Sequence, residues 1–432
     1  MATLEIKNIG PIREAKFDLN RINVFMGPQS SGKSTIAKII SYCTWVEKDV
    51  ATSQSLKTYQ ENKTLFKDYI ESFHKIKNYF VEDSFISYKS EVMEIKWENG
   101  QSEISWVDQY VYKRSKISYM PAERNIVILP EARKVEFGNT NVRSFLFDWF
   151  DARKKYSKEN NLPILDLGVN YYYSESSDED RIAGKKGGVE YDILLSNASS
   201  GLQSITPLVV MIDYLTNWIY SEDNMSFEQE ERKRRVNKYL IDEKVIKPYF
   251  NILQFTQEER SEMIAQLNEK IRSSDDSVKL VHNNYVRQLA SLFSTQNSQF
   301  IVEEPEQNLF PETQRSLIYN LLEQCLENEE NRLTITTHSP YVLYALNNCM
   351  MGGLVNSQLK GHEERKVFLE NKFLSKRSWI NPKLVSVWEI EDGEIRNIQD
   401  KDNIISENYF DIKMTELTDE YYQLLSYYND EE

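Results

Sequence analysis

An α/β fold with an antiparallel β lobe and a helical insertion is what this sequence predicts, on three observations. First, the short apolar run Arg21-Ile22-Asn23-Val24-Phe25-Met26 enters a glycine loop, Gly27-Pro28-Gln29-Ser30-Ser31-Gly32-Lys33-Ser34, and leaves it with apolar residues at helical spacing (Ile36, Ile39, Ile40, Cys43, Val46). Second, the period changes to two between residues 84 and 106, where Asn99-Gly100 separates two alternating runs and signals a hairpin. Third, Phe300-Ile301-Val302 and Leu333-Thr334-Ile335-Thr336 read as short core strands on either side of a helix at 312–328.

The elements follow in order. Leu4, Ile6 and Ile9 alternate as a strand, and Gly10-Pro11 turns the chain. Residues 53–80 are polar and helical, KISYM is a further strand before PAER at 121–124, and 139–161 is a helix. Strands are expected at 164–174 and 189–195, with SSDEDRIAGKKGG between them as a charged loop. A helix runs from about Gln203 to Tyr220. The highly charged stretch 221–292, helical by propensity, is an insertion. A hairpin turning at Asp392-Gly393 and an acidic helical tail at 401–432 close the chain. The main domain is thus 1–220 plus 293–400, with its β lobe around 84–130.

Composition narrows the function. The chain has 432 residues, 40% hydrophobic and 28% charged, enough for a core and too apolar for wholesale disorder. No apolar run is long enough to span a membrane, and the N-terminus lacks the basic and apolar regions of a secretory signal. Cys43, Cys325 and Cys349 form no CxxC pair, which excludes a disulfide scaffold or zinc finger and suits the cytoplasm. A net charge of −15 argues against general nucleic-acid binding. The run Arg232-Lys233-Arg234-Arg235 is either a local nucleic-acid contact or, since Glu228, Glu230 and Glu231 precede it at i,i+4 spacing, part of a solvated, self-paired helix, the pattern the spacing favours. No heptad run is long enough for a coiled-coil arm.

Four motifs carry chemistry. The loop at 27–34, with Thr35 following, fits G-x-x-x-x-G-K-[ST]: backbone N–H groups wrap phosphates, Lys33 reaches the β/γ-phosphates and the Ser34 hydroxyl ligates Mg²⁺. Glu303-Glu304-Pro305-Glu306 caps a strand, where one carboxylate can serve a metal ion and the next can polarise water. By itself this pair better suits a solvated loop, and the glycine loop earlier in the chain reverses that balance. Ser199-Ser200-Gly201 opens a helix and makes either an anion site or an ordinary N-cap. His338 follows a strand with Ser339 as N-cap and Pro340 at N1; the histidine is either structural or a hydrogen-bond donor to a γ-phosphate.

In this order the motifs resemble the ABC-type ATPase head of the SMC/RecF/OLD-like soluble branch of AAA-family ATPases, where EEPExxLxP and THSP are typical. The resemblance covers roughly 1–46, 116–130, 189–220 and 299–346. It implies Walker A residues Lys33 and Ser34, a signature loop of Ser199, Ser200 and Gly201, Walker B residues Glu303 (metal) and Glu304 (catalytic), a D-loop at Asn308 and Leu309, and a catalytic switch histidine, His338. SSGLQ stands where LSGGQ is usual, and Glu303 stands where aspartate is usual. PAERN at 121–125 sits near the expected glutamine loop, with its role open. ATP and Mg²⁺ are the implied cofactors, and a homodimer, or a higher oligomer of dimers, is the implied minimum because such sites close in trans.

Three functions compete: a regulatory ATPase of bacterial anti-phage defence, resembling the ATPase subunits of PARIS or Septu, that answers a phage-derived trigger and controls a separate effector, a nuclease; a RecF/SMC-like DNA-repair ATPase; and a transporter's nucleotide-binding subunit. The large insertions disfavour the third, and the acidic balance and missing arm disfavour the second. No metal cluster or paired catalytic aspartates point to a nuclease within this chain, Asp400 and Asp402 being the nearest approach.

Overall fold

The structure, a computed structural model, describes all residues except 1, 130–137, 222–226, 273–275, 360–362, 371 and 430–432. His362, one of the scattered histidines, falls outside the described residues.

A single 11-stranded sheet runs in the order Gln101–Trp106, Met93–Glu98, Phe80–Lys89, Ala2–Ile9, Ile12–Leu19, Glu394–Asn397, Val385–Glu391, Ile22–Met26, Arg332–Thr337, Asn297–Glu303, Ser115–Met120. The last five of these are mutually parallel. Their apolar runs are buried on both faces, as parallel strands require. Ile22, Val24 and Met26 face a core built with the helices Ser200–Asn217, Pro311–Leu326 and Pro340–Gln358. Phe25 points the other way, into a core shared with the helix Lys33–Ser53. The antiparallel part alternates instead: Ile12–Leu19 buries Ile12, Ala15, Phe17 and Leu19 and exposes the residues between. It draws on 2–19 as well as 80–106. Of the 84–130 stretch, the strand Ser115–Met120 lies at the opposite edge of the sheet, and Arg124–Ile128 is a 3₁₀ turn.

The charged segment expected as a loop is largely a strand. Glu179–Lys186 sits between Val169–Ser174 and Val189–Leu194 in a second, 4-stranded antiparallel sheet. Its charges are satisfied across the sheet: Arg181 donates to Asp192 at 2.8 Å, and Asp180 accepts from the Tyr171 hydroxyl at 2.7 Å. Ile182, opposite Tyr171 and Ile193, is fully buried.

The helix expected over 139–161 is shorter, Asn141–Ala152, capped by Thr140, and a strand pair and turn occupy 162–174. Within 221–292 the described residues are mostly helical, in Phe227–Leu240, a π-helical turn Ile241–Ile246 running into Lys247–Phe250, Gln257–Arg272 and Asp276–Phe293, with a non-helical connection at 251–256. Ile246 and Leu267 make a small core of their own, while Val236, Leu240, Leu292 and Phe293 join the core beneath Lys33–Ser53. The C-terminal segment is the helix Tyr409–Asn429.

Candidate functional site

Register lines up the strand ends. Met26 lies opposite Thr337 and Glu389, Thr336 opposite Glu303, and Val302 opposite Met120. The residues that follow, Gly27, His338, Glu304 and Pro121, therefore leave the sheet along one carboxyl edge, the usual position of a ligand crevice in an open α/β sheet.

The glycine loop is held from two sides. Gly32 has φ of 107°, and a Cβ there would lie 2.2 Å from Ile12 Cδ1. At Gly27, with φ of 146°, a Cβ would lie 2.3 Å from the Ile390 carbonyl oxygen. Glycine is required at both places on steric grounds. The loop delivers the N-terminus of Lys33–Ser53, whose first N–H groups and dipole favour an anion. Lys33 is only 4% exposed; its ammonium donates to Gly27 O at 2.9 Å, Pro28 O at 2.6 Å and Ser31 Oγ at 3.3 Å. Burial lowers its pKa to about 8, although Glu304 and Glu306 pull the other way.

Glu304 occupies the left-handed region with φ of 43°, uncommon for a residue with a side chain. Its N–H donates to Thr336 O at 2.9 Å, tying the acidic loop to the neighbouring strand. His338 Nε2 lies 3.2 Å from Glu304 Oε1, and Gln307 Nε2 donates to Glu304 Oε2 at 3.1 Å. The His338 contact is the main cause that holds the Glu304 carboxyl below the usual range. Glu306, to which no role was assigned from sequence, accepts from His338 N at 2.6 Å and from Thr337 Oγ1 at 2.9 Å, while burial raises its pKa. It fixes the turn that aims His338 at Glu304. Ser339 accepts from Tyr341 N and caps its helix as expected.

Glu303 is 4% exposed. One of its oxygens accepts from Ala122 N at 3.4 Å; the other, Oε1, is buried without a well-formed hydrogen bond, and the buried Tyr119 hydroxyl lies beside the carboxylate. A buried carboxylate oxygen left over beside a phosphate-type loop fits a hard divalent cation. Glu303 together with the Ser34 hydroxyl would hold Mg²⁺.

The PAER segment gains a role that sequence left open. Arg124 is fully buried and donates to Glu303 O at 2.8 Å, Glu304 O at 2.9 Å, Ser204 O at 3.2 Å and Ser204 Oγ at 3.3 Å. Burial lowers its pKa to about 10, which leaves it charged at neutral pH. One planar guanidinium thus clamps the acidic loop to the helix Ser200–Asn217. An arginine inside the apolar stretch ISYMPAERNIVIL was the available signal.

Ser199, Ser200 and Gly201 stand elsewhere. Ser199 Oγ accepts from Leu202 N at 3.5 Å, the geometry of an N-cap. A Cβ on Gly201 would lie 3.1 Å from Asn308 O, so this helix start packs on the loop after Glu304. Asp400, weighed for nuclease chemistry, caps a turn through Asp402 N at 2.9 Å and Ile404 N at 3.0 Å.

No protein-family model matches the chain, and no curated protein matches it in sequence. Solved structures do. The SMC head domain from Thermotoga maritima shares 11% identity at a TM-score of 0.33, over 79% of this chain and 90% of that one. The Smc head domain with an extended coiled coil, bound to the C-terminal domain of ScpA and derived from Pyrococcus furiosus, shares 8% at 0.33, over 92% and 96%. The recombination mediator protein RecF-ATPrS shares 10% at 0.27, over 92% and 97%. Likeness at this level does not define a family. No helix among the described residues is long and apolar enough to cross a membrane.

Proposed function

We propose that the chain binds ATP and hydrolyses it to ADP and phosphate at the carboxyl edge of its parallel strands, as an ABC-type ATPase. The observation that carries this is the convergence of a lysine-bearing glycine loop with the Glu304–His338 pair, 3.2 Å apart, on adjoining strand ends. The three oxygens now accepting from Lys33 give way to phosphate oxygens, and the loop N–H groups bind the same anion. Bound Mg²⁺ would supply charge neutralisation between phosphates. Glu304, ionised and aimed by His338 and Gln307, takes a proton from the attacking water. His338 then faces the phosphate that leaves. Ser199 and Gly201, the latter packed on Asn308 in the loop after Glu304, complete the site of a second copy, which makes a homodimer the working unit.

As the resemblance to defence ATPases implies, the cycle acts as a switch on a separate effector, with the chain as regulator. The direct test pairs two variants. Lys33→Ala should lose binding of a fluorescent ATP analogue while keeping its fold. Glu304→Gln should bind the analogue but hydrolyse ATP about 10²–10⁴-fold more slowly. Parental turnover in Glu304→Gln, or parental affinity in Lys33→Ala, would sink the reading.

A further inference from the structure

Tyr119 and Glu303 bring two unsatisfied polar groups together beneath the helix that follows the glycine loop. Tyr119 pairs with Ile301 across the parallel strands Ser115–Met120 and Asn297–Glu303. Residues two apart share a face of a strand, so Glu303 follows Ile301 on that face, about 6.6 Å further along. It is the face packed on the helix Lys33–Ser53, since Tyr119 and Ile301 form a small cluster with Ala37, a turn beyond Lys33. The tyrosine reaches along this diagonal: Glu303 and Glu123 both act on its hydroxyl, Glu303 the more strongly. Tyr119 is 7% exposed, and its hydroxyl, like Glu303 Oε1, is buried without a well-formed hydrogen bond. Interiors rarely leave two such atoms side by side. His74, itself buried, meets the Tyr119 ring edge-on, with centroids 4.9 Å apart at 63°. Neither His74 nitrogen has a hydrogen-bond partner among the described residues, so the histidine wedges the ring and leaves the hydroxyl to Glu303.

We infer that Tyr119 is a positioning residue for Glu303: its hydroxyl aims the carboxylate at a divalent cation and so sets how tightly the nucleotide site takes Mg²⁺. The inference rests on the nucleotide-site reading above. A glutamate side chain turns about several bonds, and Ala122 N restrains one Glu303 oxygen only through a long contact of 3.4 Å. A phenol on a wedged ring, with few bonds to turn about, supplies the further restraint. Carboxylates that ligate metal ions are ordinarily oriented by neighbouring donors in this way. A carboxylate fixed by a cation in turn gives the hydroxyl a charged acceptor in one place, which accounts for both unsatisfied atoms together.

The test reads metal dependence rather than turnover. The full chain is titrated with a fluorescent, non-hydrolysable ATP analogue in EDTA and over a series of Mg²⁺ concentrations. In the parent, affinity for the analogue should rise with Mg²⁺. Tyr119→Phe should bind as the parent does in EDTA but need about 10–100-fold more Mg²⁺ for half of the gain. Its urea midpoint should stay level or rise, because the hydroxyl removed makes no well-formed bond in the free chain. Equal magnesium dependence in the parent and Tyr119→Phe overturns the inference and leaves the nucleotide reading standing. Weaker binding in EDTA, or a lower urea midpoint, also overturns it, since the tyrosine would then shape the site as a whole rather than act through Glu303. A parent without magnesium-dependent binding overturns both.

Discussion

Replacing Arg124 by methionine keeps the aliphatic stem and removes the guanidinium. The side chain is 0% exposed, and its shortest bonds, 2.8 Å and 2.9 Å, end on the Glu303 and Glu304 carbonyls. Each carbonyl left unpaired in the interior costs about 1–3 kcal/mol. Some of that is recovered as the loop shifts toward water, so a loss of roughly 3–5 kcal/mol is expected, the range for breaking a buried charged contact. The shift has a kinetic price. Glu304 sits in a left-handed conformation that its surroundings must enforce, and a displacement near 1 Å at a reacting group costs about 10²-fold in rate. Urea unfolding and single-turnover ATP hydrolysis read the two effects, and nucleotide affinity should hold because Arg124 bonds to the acidic loop and the Ser200–Asn217 helix. Arg124→Lys separates charge from geometry: it should regain stability more than turnover, since an ammonium cannot reproduce the planar fork. Parental turnover with an unchanged urea midpoint in Arg124→Met would refute the clamp.

Lys33 predicts a pH dependence. Its pKa in the free folded chain is about 8 against an ordinary 10.5, so the unfolded chain holds more protons between those values and stability should rise with pH across that window. Phosphate favours the ammonium form, so nucleotide affinity should be flat below about pH 8 and fall by up to about tenfold per unit above it; a flat profile to pH 10 would contradict this. Gly32→Ala places a methyl 2.2 Å from Ile12 Cδ1 at an unfavourable φ, and should destabilise by about 1–3 kcal/mol, partly relieved by Ile12→Val in a thermal melt. Mixing inactive Lys33→Ala with inactive Ser199→Arg chains should restore part of the ATPase activity if sites close in trans; mixed dimers without activity would argue otherwise.

Local features of the site were readable from sequence because local chemistry dictates them. The glycine loop needs positive φ and close packing at Gly27 and Gly32, and it shows as glycine at fixed spacing before a lysine. Ser339-Pro340 announces its helix start in the same way. What escaped depends on distant partners. Arg124 is recognisable as a clamp only once Glu303, Glu304 and Ser204 are brought to it, and Glu306 gains its purpose from His338 on the next strand. The Glu179–Lys186 strand was read as loop because its charges suggested solvent, whereas Asp180 and Arg181 are neutralised by Tyr171, Arg153 and Asp192 from other segments. In the antiparallel part, Asn99-Gly100 revealed one hairpin, but nothing local showed that Phe80–Lys89 would pair with Ala2–Ile9.

The contact between Gly27 and the Ile390 carbonyl joins segments far apart in sequence, since the strand Val385–Glu391 lies directly beside Ile22–Met26. During synthesis the glycine loop leaves the ribosome long before the strand Val385–Glu391 that walls it is made. Contacts of such long range form late, so the loop is made well before its backbone groups gain this cover. A chain stopped short of Val385 would carry every residue of the glycine loop and still lack the surface that shapes it. The shape of the loop thereby depends on a strand that is distant in sequence as well as on the loop's own glycines.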